Sequence, residues 1–381
     1  MSTEHSRLTA PTPQSRIHGC LLGGALGDSL GYAVEFDDIS TIRSRFGPAG
    51  LQDFSALDAG SHFSDDTQMT LYTVDGLVEA LEWANEGTAA DANACVWLAY
   101  LRWLATQGVP VASSAPAPQP RWIDGQAALK HRRAPGNACL SGLASGEMGT
   151  IYRPVNPDSK GCGTVMRSAP FGLIPHIPAE AVYKLSSDAA SLTHGHRSAR
   201  QSAGTFSLLI HALMGGQSLT EAADYVLEDA RGRDDAEPAL VDRLERSVHL
   251  AAVSRQEPAA ADRLGPEDLV RELGEGWVAE EALAVALYAV LATAPAGDID
   301  GDTAAGTAGG VSRAGIEAHF REAIALAVNH SGDSDSTGSI AGNILGAFYG
   351  EECLPAAWLE SLEAPEVIRG MAGQLVSVTI A

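Results

Sequence analysis

Residues 332–350 read Gly-Asp-Ser-Asp-Ser-Thr-Gly-Ser-Ile-Ala-Gly-Asn-Ile-Leu-Gly-Ala-Phe-Tyr-Gly, an acidic, hydroxyl-rich entry into an apolar run with a glycine at every fourth position. If the run is helical, Gly338, Gly342, Gly346 and Gly350 share one face, because residues four apart stack on the same side of a helix. A glycine inside a helix costs about 1 kcal/mol relative to alanine. Four in register therefore need a compensating contact, and very close packing on another helix supplies it. Gly19, Gly23, Gly27 and Gly31 carry the same stripe. Both segments are expected to be core helices. The membrane form of such a stripe does not apply, since polar residues interrupt both runs.

Outward from these two segments, helical patterning dominates. Thr67–Trp83 presents a broad apolar face, and Cys95–Leu104 and Ala279–Leu291 are almost wholly apolar, as buried helices are. Ser198–Met214 and Ile316–Val328 are further helix candidates. Alternating apolar and polar runs are scarce and no repeat of solenoid length is visible, so the expected class is all-α. Residues 1–14 are expected to form a disordered arm. Loops are expected near 110–120, 231–238 and 295–310, where Ala, Pro, Ser, Gly and charged residues collect. Residues 15–381 are expected to make one domain.

Composition narrows the function classes. The 381 residues are 45% apolar and carry a formal net charge of -23. That charge disfavours general nucleic-acid binding, which depends on cations neutralising phosphates, and disfavours anionic membranes for the same reason. No run is long and apolar enough to span a bilayer, and the first residues lack the apolar core of a signal peptide. The five cysteines are scattered and form no Cys-x-x-Cys pair, so a reducing, cytoplasmic compartment is expected.

Two acidic clusters carry the chemistry. His62-Phe63-Ser64-Asp65-Asp66-Thr67-Gln68 opens one predicted helix, and Asn329-His330-Ser331-Gly332-Asp333-Ser334-Asp335-Ser336-Thr337 opens the glycine-striped one. Each has an ordinary explanation. Asp65 and Gln68 have the spacing of a capping box, and Asp-x-Asp is common in turns. Taken together they suggest one shared oxygen-ligand site for hard divalent cations. An EF-hand is not supported, because no Glu closes the loop. Asp298–Asp302 resembles a calcium loop but lies in low-complexity sequence and is expected to be solvated.

The order of motifs resembles the ADP-ribosylglycohydrolases. Gly23-Gly24-Ala25-Leu26-Gly27-Asp28 leads to Val34-Glu35-Phe36, followed by Ser64-Asp65-Asp66-Thr67, Gly161-Cys162-Gly163-Thr164-Val165-Met166-Arg167, Thr193-His194, Gly276-Trp277-Val278 and Gly332-Asp333-Ser334-Asp335-Ser336. Each piece is short; their order across nearly the whole chain is specific. The resemblance implies an all-α, single-domain fold with a central dinuclear Mg²⁺ or Mn²⁺ centre. It implies Ser64, Asp65, Asp66, Asp333, Asp335 and Ser336 as metal ligands, with Thr337 as a substitute for Ser336. Asp65, Asp66, Glu35 and Asp335 become candidates for the catalytic proton transfer. Asp28 is expected to support the site from behind.

The resemblance also implies a substrate pocket containing Gly161, Cys162, Gly163, His194, Trp277, Asn137, Gly338 and Ser339. The glycines at 161 and 163 would let backbone N–H groups approach a diphosphate. Trp277 would stack on a base or ribose, and His194 would donate to a ribose or phosphate oxygen, although His194 and the nearby His196 each have the alternative of a satisfied core histidine. Met166 is expected to pack and Arg167 to form an ion pair. The implied reaction removes ADP-ribose from a modified arginine of a protein. O-linked serine adducts or small ADP-ribose conjugates are the alternative, and a non-catalytic ADP-ribose binder is the third reading. Ala134 stands where some arginine-specific relatives carry an acid, which weakens the arginine assignment. A monomer is expected.

Overall fold

A computed structural model describes residues 10–58, 60–256, 263–295 and 312–380. The described residues form α1 (Pro13–Tyr32), α2 (Ile39–Phe46), α3 (Asp65–Asn85), α4 (Ala92–Thr106), α5 (Asn137–Ala144), α6 (Ala169–Gly172), α7 (Ala179–Ala190) and α8 (Arg197–Met214). They continue with α9 (Leu219–Gly232), α10 (Pro238–Gln256), α11 (Pro266–Leu273), α12 (Ala279–Thr293), α13 (Arg313–Val328), α14 (Ser334–Tyr349), α15 (Ala356–Ser361) and α16 (Pro365–Thr379). Short 3₁₀ turns join several of them. Among the described residues only two isolated β-bridges occur, Thr150 with Arg153 and Gly161 with Val278. The chain is all-α, as its patterning requires.

The five helices read from periodicity all appear, each within or one residue short of its observed span. α1 starts at Pro13, with Thr12 as its N-cap, so residues 13 and 14 are helical and not part of an arm. Residues 10–12 are non-helical, and 1–9 lie outside the described residues. Residues 110–120 form a loop as expected, whereas the loop expected at 231–238 shortens to 233–237, because Arg231 and Gly232 end α9 and Pro238 opens α10. The segments expected as a loop at 295–310 and as a solvated acidic run at 298–302 lie outside the described residues from 296 onward. No described helix is long and apolar enough to cross a membrane.

The two glycine stripes face each other. A methyl added at Gly23 would collide with the carbonyl of Gly342, one at Gly27 with that of Gly338, and one at Gly31 with that of Ser334. Contact partners fall along α14 as they rise along α1, so the helices are antiparallel. Their backbones touch without intervening side chains, and Asn343 locks them by donating to the Cys20 carbonyl at 2.7 Å. This register has a functional result: it brings the C-terminal end of α1, with Asp28 and the following Glu35, to the N-terminal end of α14. α3 packs on both helices and contributes its own N-terminus at the same place.

Candidate active site

Three helix ends therefore meet, each carrying or followed by acids. α3 begins at Asp65, with Ser64 as its N-cap accepting from the Asp66 N–H at 3.2 Å. The expected capping box does not form, since the Gln68 side chain instead donates to the His131 carbonyl at 2.8 Å. Asp28 holds this helix start in place. Its carboxylate accepts from the Ser64 N–H at 2.9 Å and the Thr67 N–H at 3.0 Å, and from the Thr67 hydroxyl. The support expected of Asp28 takes this form. Asp333 caps α14, and Asp335 lies in its first turn. Helix N-termini favour anionic side chains, which is one reason these acids can gather.

They gather almost without solvent. Glu35, Asp65, Asp66, Asp333 and Asp335 are all buried, and Glu35, Asp333 and Asp335 bring carboxylate oxygens within 4.8 Å of one another. Burial, and then the charge of Asp335, pushes Asp65, Asp66 and Asp333 well above the usual carboxylate range. The same causes raise Asp28 to about 7. Glu35 rises to about 10 through burial and the charges of Asp335 and Asp333. Glu35 Oε2 and Asp66 Oδ2 are buried without a hydrogen-bond partner. Buried like charges with unpartnered oxygens are costly unless a cation neutralises them. Carboxylate oxygens and a Ser336 hydroxyl are also the donors hard divalent cations prefer. The residues fit such a group.

The carboxylates floor a cavity of about 710 Å³, within the usual range for small-molecule sites. Glu35, Asp65, Asp66, Asp333, Asp335 and Ser336 line it, as do Asn137, Gly161, Cys162, Gly163, His194 and Trp277. Thus the structure brings together twelve of the fifteen residues selected from sequence. Ser64, Gly338 and Ser339 are not on the wall. Gly338 is turned to α1, where an added methyl would lie 2.5 Å from the Gly27 carbonyl oxygen. Its small size serves helix packing. Ser339, one step further along the helix, is buried with it.

Other expectations change in detail. Thr337, the expected substitute for Ser336, is fully buried off the cavity wall, with its hydroxyl turned to the carbonyls of Ala327 at 2.8 Å and Asp333 at 2.9 Å. Of the two histidines, His194 reaches the cavity. His196 instead caps α8, accepting from the Ser198 N–H at 3.1 Å. The Cys162 N–H is engaged with the Trp277 carbonyl at 3.2 Å and is not free for a diphosphate. That bond ties the Trp277 segment to the Gly161–Gly163 wall. Gly276, at φ 89°, makes the turn that presents Trp277. The Cys162 thiol donates to Asp333 Oδ2 at 2.7 Å. Met166 is buried against the core as expected. Arg167 is not ion-paired: no carboxylate among the described residues lies within bridging distance.

Sequence reading missed several wall residues: Phe36, Arg132, Pro135, Gly136, Cys139 and Ser159. Gly136 contributes its N–H to Asp65 Oδ2 at 3.2 Å. These residues carry no catalytic pattern; the only available signal was their nearness in sequence to Glu35, Asn137 and Gly161.

The family model described as ADP-ribosylglycohydrolase matches residues 9–380. The ADP-ribosylhydrolase ARH3 of Danio rerio is 24% identical, over 97% of this chain and 92% of its own. The ADP-ribosyl-[dinitrogen reductase] glycohydrolase of Rhodospirillum rubrum is 25% identical, over 93% of each chain. A solved structure titled ADP-ribosylglycohydrolase-related protein complex shares the fold at a TM-score of 0.60, with 24% identity and coverage of 96% of this chain and 99% of that one.

Proposed function

The chain belongs to the ADP-ribosylglycohydrolase family, and from that premise we propose that it hydrolyses the C1 glycosidic bond of the distal ribose in ADP-ribosylated arginine on a protein. The single observation that carries the reading is the convergence of buried carboxylates from the segment after α1 and from the N-terminal ends of α3 and α14 on one cavity of ADP-ribose scale. Asp65, Asp66, Asp333 and Asp335 would hold two divalent cations, Mg²⁺ or Mn²⁺, with Ser336 and, less directly, Ser64 supplying hydroxyl oxygens. Bound there, such a cation would polarise oxygen atoms and lower the pKa of water.

The protein's own groups do the rest. Trp277 packs on the nucleoside side of the ligand, and Asn137 and His194 meet its polar oxygens. Water adds to C1 as the bond from C1 to the acceptor atom breaks, and the acceptor leaves with the bonding electron pair. Charge of oxocarbenium type develops on the ribose, and the surrounding carboxylates favour it. A carboxylate accepts the proton lost by water. Asp65, Asp66, Glu35 and Asp335 all line the cavity, and of these Glu35 and Asp66 have unpartnered oxygens. The acid-rich floor favours a cationic guanidine over a neutral acceptor, which supports arginine. Ala134 on the wall leaves no acid there to grip a guanidinium, and this favours an O-linked serine adduct as the second reading. Five unpaired cysteines support a reducing cytoplasm as the place of action.

The test is release of free ADP-ribose from arginine-linked and serine-linked substrates with Mg²⁺ or Mn²⁺ added. Faster release from the arginine adduct is expected. Faster release from the serine adduct selects the second reading, and release from neither, with binding of ADP-ribose retained, makes the protein a non-catalytic binder.

A further inference from the structure

Arg167 is almost fully buried, yet its partners are all uncharged. Nη2 donates to Thr193 Oγ1 at 2.7 Å, and Nη1 lies 3.3 Å from Cys139 Sγ and 3.5 Å from Met69 Sδ. The guanidinium also sits 4.4 Å from the Tyr100 ring centroid, a favourable cation–π arrangement. An unpaired buried charge is costly, so its retention beneath this cavity needs a reason.

The reason lies one bond further on. Thr193 Oγ1 is 2.8 Å from His194 Nδ1. The other edge of that imidazole faces the cavity: methyls placed on Gly161 and Gly163 would stand 3.2 and 3.3 Å from Nε2. Guanidinium, hydroxyl and imidazole therefore form a chain from the interior to the ligand. A guanidinium can only donate, and a threonine hydroxyl has one proton to give. With its oxygen accepting from Arg167, that proton is directed to Nδ1. The competing acceptor for it is the Cys139 sulfur, which touches the same hydroxyl but accepts weakly. Nδ1 is then an acceptor and the ring proton stays on Nε2.

We propose that Arg167 and Thr193 are positioning residues that hold His194 as the neutral Nε2–H tautomer, so that it donates a hydrogen bond to a phosphate or ribose oxygen of the ADP-ribose group. The ligand's identity rests on the proposed function; the tautomer does not. The opposite tautomer would turn a lone pair toward an oxygen ligand and repel it. His194 is no proton shuttle in this scheme. Burial, and then the Arg167 charge, pushes its pKa down to about 3, so the ring stays neutral and its donor is constant. The same guanidinium places positive charge beneath a cavity floored by carboxylates, which favours a diphosphate.

The test begins with ¹⁵N-histidine-labelled full-length protein, free of ligand, with the His194 ring assigned from the signal lost in His194→Gln. Wild type is expected to show a pyridine-like Nδ1 and a protonated, pyrrole-like Nε2, unchanged between about pH 5 and pH 8, where free histidine titrates. Thr193→Val is expected to shift the ring toward a mixture of tautomers and raise the Kd for ADP-ribose about tenfold or more, the loss of a hydrogen bond to a charged oxygen. The change should fall on KM more than on kcat, and Thr193→Ser should restore both. With the ring assigned, a protonated Nδ1 in wild type overturns the inference whether or not Thr193→Val folds, and so does an unchanged ring spectrum in folded Thr193→Val. Failure of wild type to release ADP-ribose defeats the functional reading alone and leaves the tautomer result standing.

Discussion

Substituting Gly338 by alanine separates two roles for that residue, since a ligand contact and a helix contact predict different losses. The new methyl would stand 2.5 Å from the Gly27 carbonyl oxygen and 2.8 Å from Val328 Cγ1. The valine side chain can turn aside; a helix carbonyl cannot. To reach an ordinary contact of about 3.4 Å, α1 and α14 must part by about 0.9 Å at this point. Overpacking of this kind costs about 1–3 kcal/mol, and backbone on the receiving side puts the cost in the upper half. Alanine returns about 1 kcal/mol of helix propensity, so the net loss is about 1–2 kcal/mol. Gly373 in α16 is the control, because an added methyl there meets nothing within 4 Å. Gly373→Ala is expected to stabilise by up to about 1 kcal/mol through propensity alone. Chemical denaturation of the three proteins reads both numbers, and the signs should be opposite. The strain sits one turn from Asp335, so Gly338→Ala should also weaken stabilisation by Mn²⁺. A Gly338→Ala protein that gains stability as the control does would refute the close approach of the stripes.

Two further outcomes concern pH. Asp28 and Glu35 have raised folded-state values of about 7 and about 10, so the metal-free protein loses their stabilising contribution as pH rises above the unfolded carboxylate range and through those values. Divalent cations compete with these protons; the rise in melting temperature on adding Mn²⁺ is expected to be larger at pH 8 than at pH 6, and an equal rise would contradict the buried acid cluster. His319 behaves oppositely: burial lowers it to about 4 while it bonds Tyr349 and Val290. Its unfolded form binds a proton below about 6.5 and the folded form does not, so stability is lost as pH falls through that window. His319→Gln relative to wild type should improve by about 2 kcal/mol between pH 7.5 and pH 5, from 1.5 pH units at about 1.4 kcal/mol each. A pH-independent difference in denaturation would show that the imidazole titrates normally in the fold.

Much of the fold was legible because its determinants are local or periodic. The helices follow from apolar spacing, and paired glycine stripes announce a close helix contact before any coordinates are known. The acidic clusters were legible as helix starts, which is where they lie. What sequence could not supply was direction. Gly338 and Ser339 sit two and three residues beyond Ser336, close enough in sequence to suggest the pocket, but the helix turns Gly338 toward α1. Thr337 has a ligand's chemistry, yet its hydroxyl is turned away from the cavity to the Asp333 carbonyl of its own turn and the Ala327 carbonyl of α13. Arg167 looked like an ion-pairing residue because buried arginines usually need a carboxylate. Its actual partners come from Met69, Tyr100, Cys139 and Thr193, which are scattered along the chain and share no spacing. The Thr193-His194 motif pointed to His194 over the nearby His196, and the turn into α8 makes His196 a cap and leaves His194 to the cavity.

In the proposed site, acids from α3 and α14 together hold the cations that serve ADP-ribose chemistry. Calorimetric titration of Mn²⁺ into the chelator-stripped protein decides whether they do, using wild type beside Asp66→Asn and Asp335→Asn. Saturable binding in wild type and its loss in both variants, one from each helix, is the predicted result. Wild-type affinity retained in either variant would contradict a shared site.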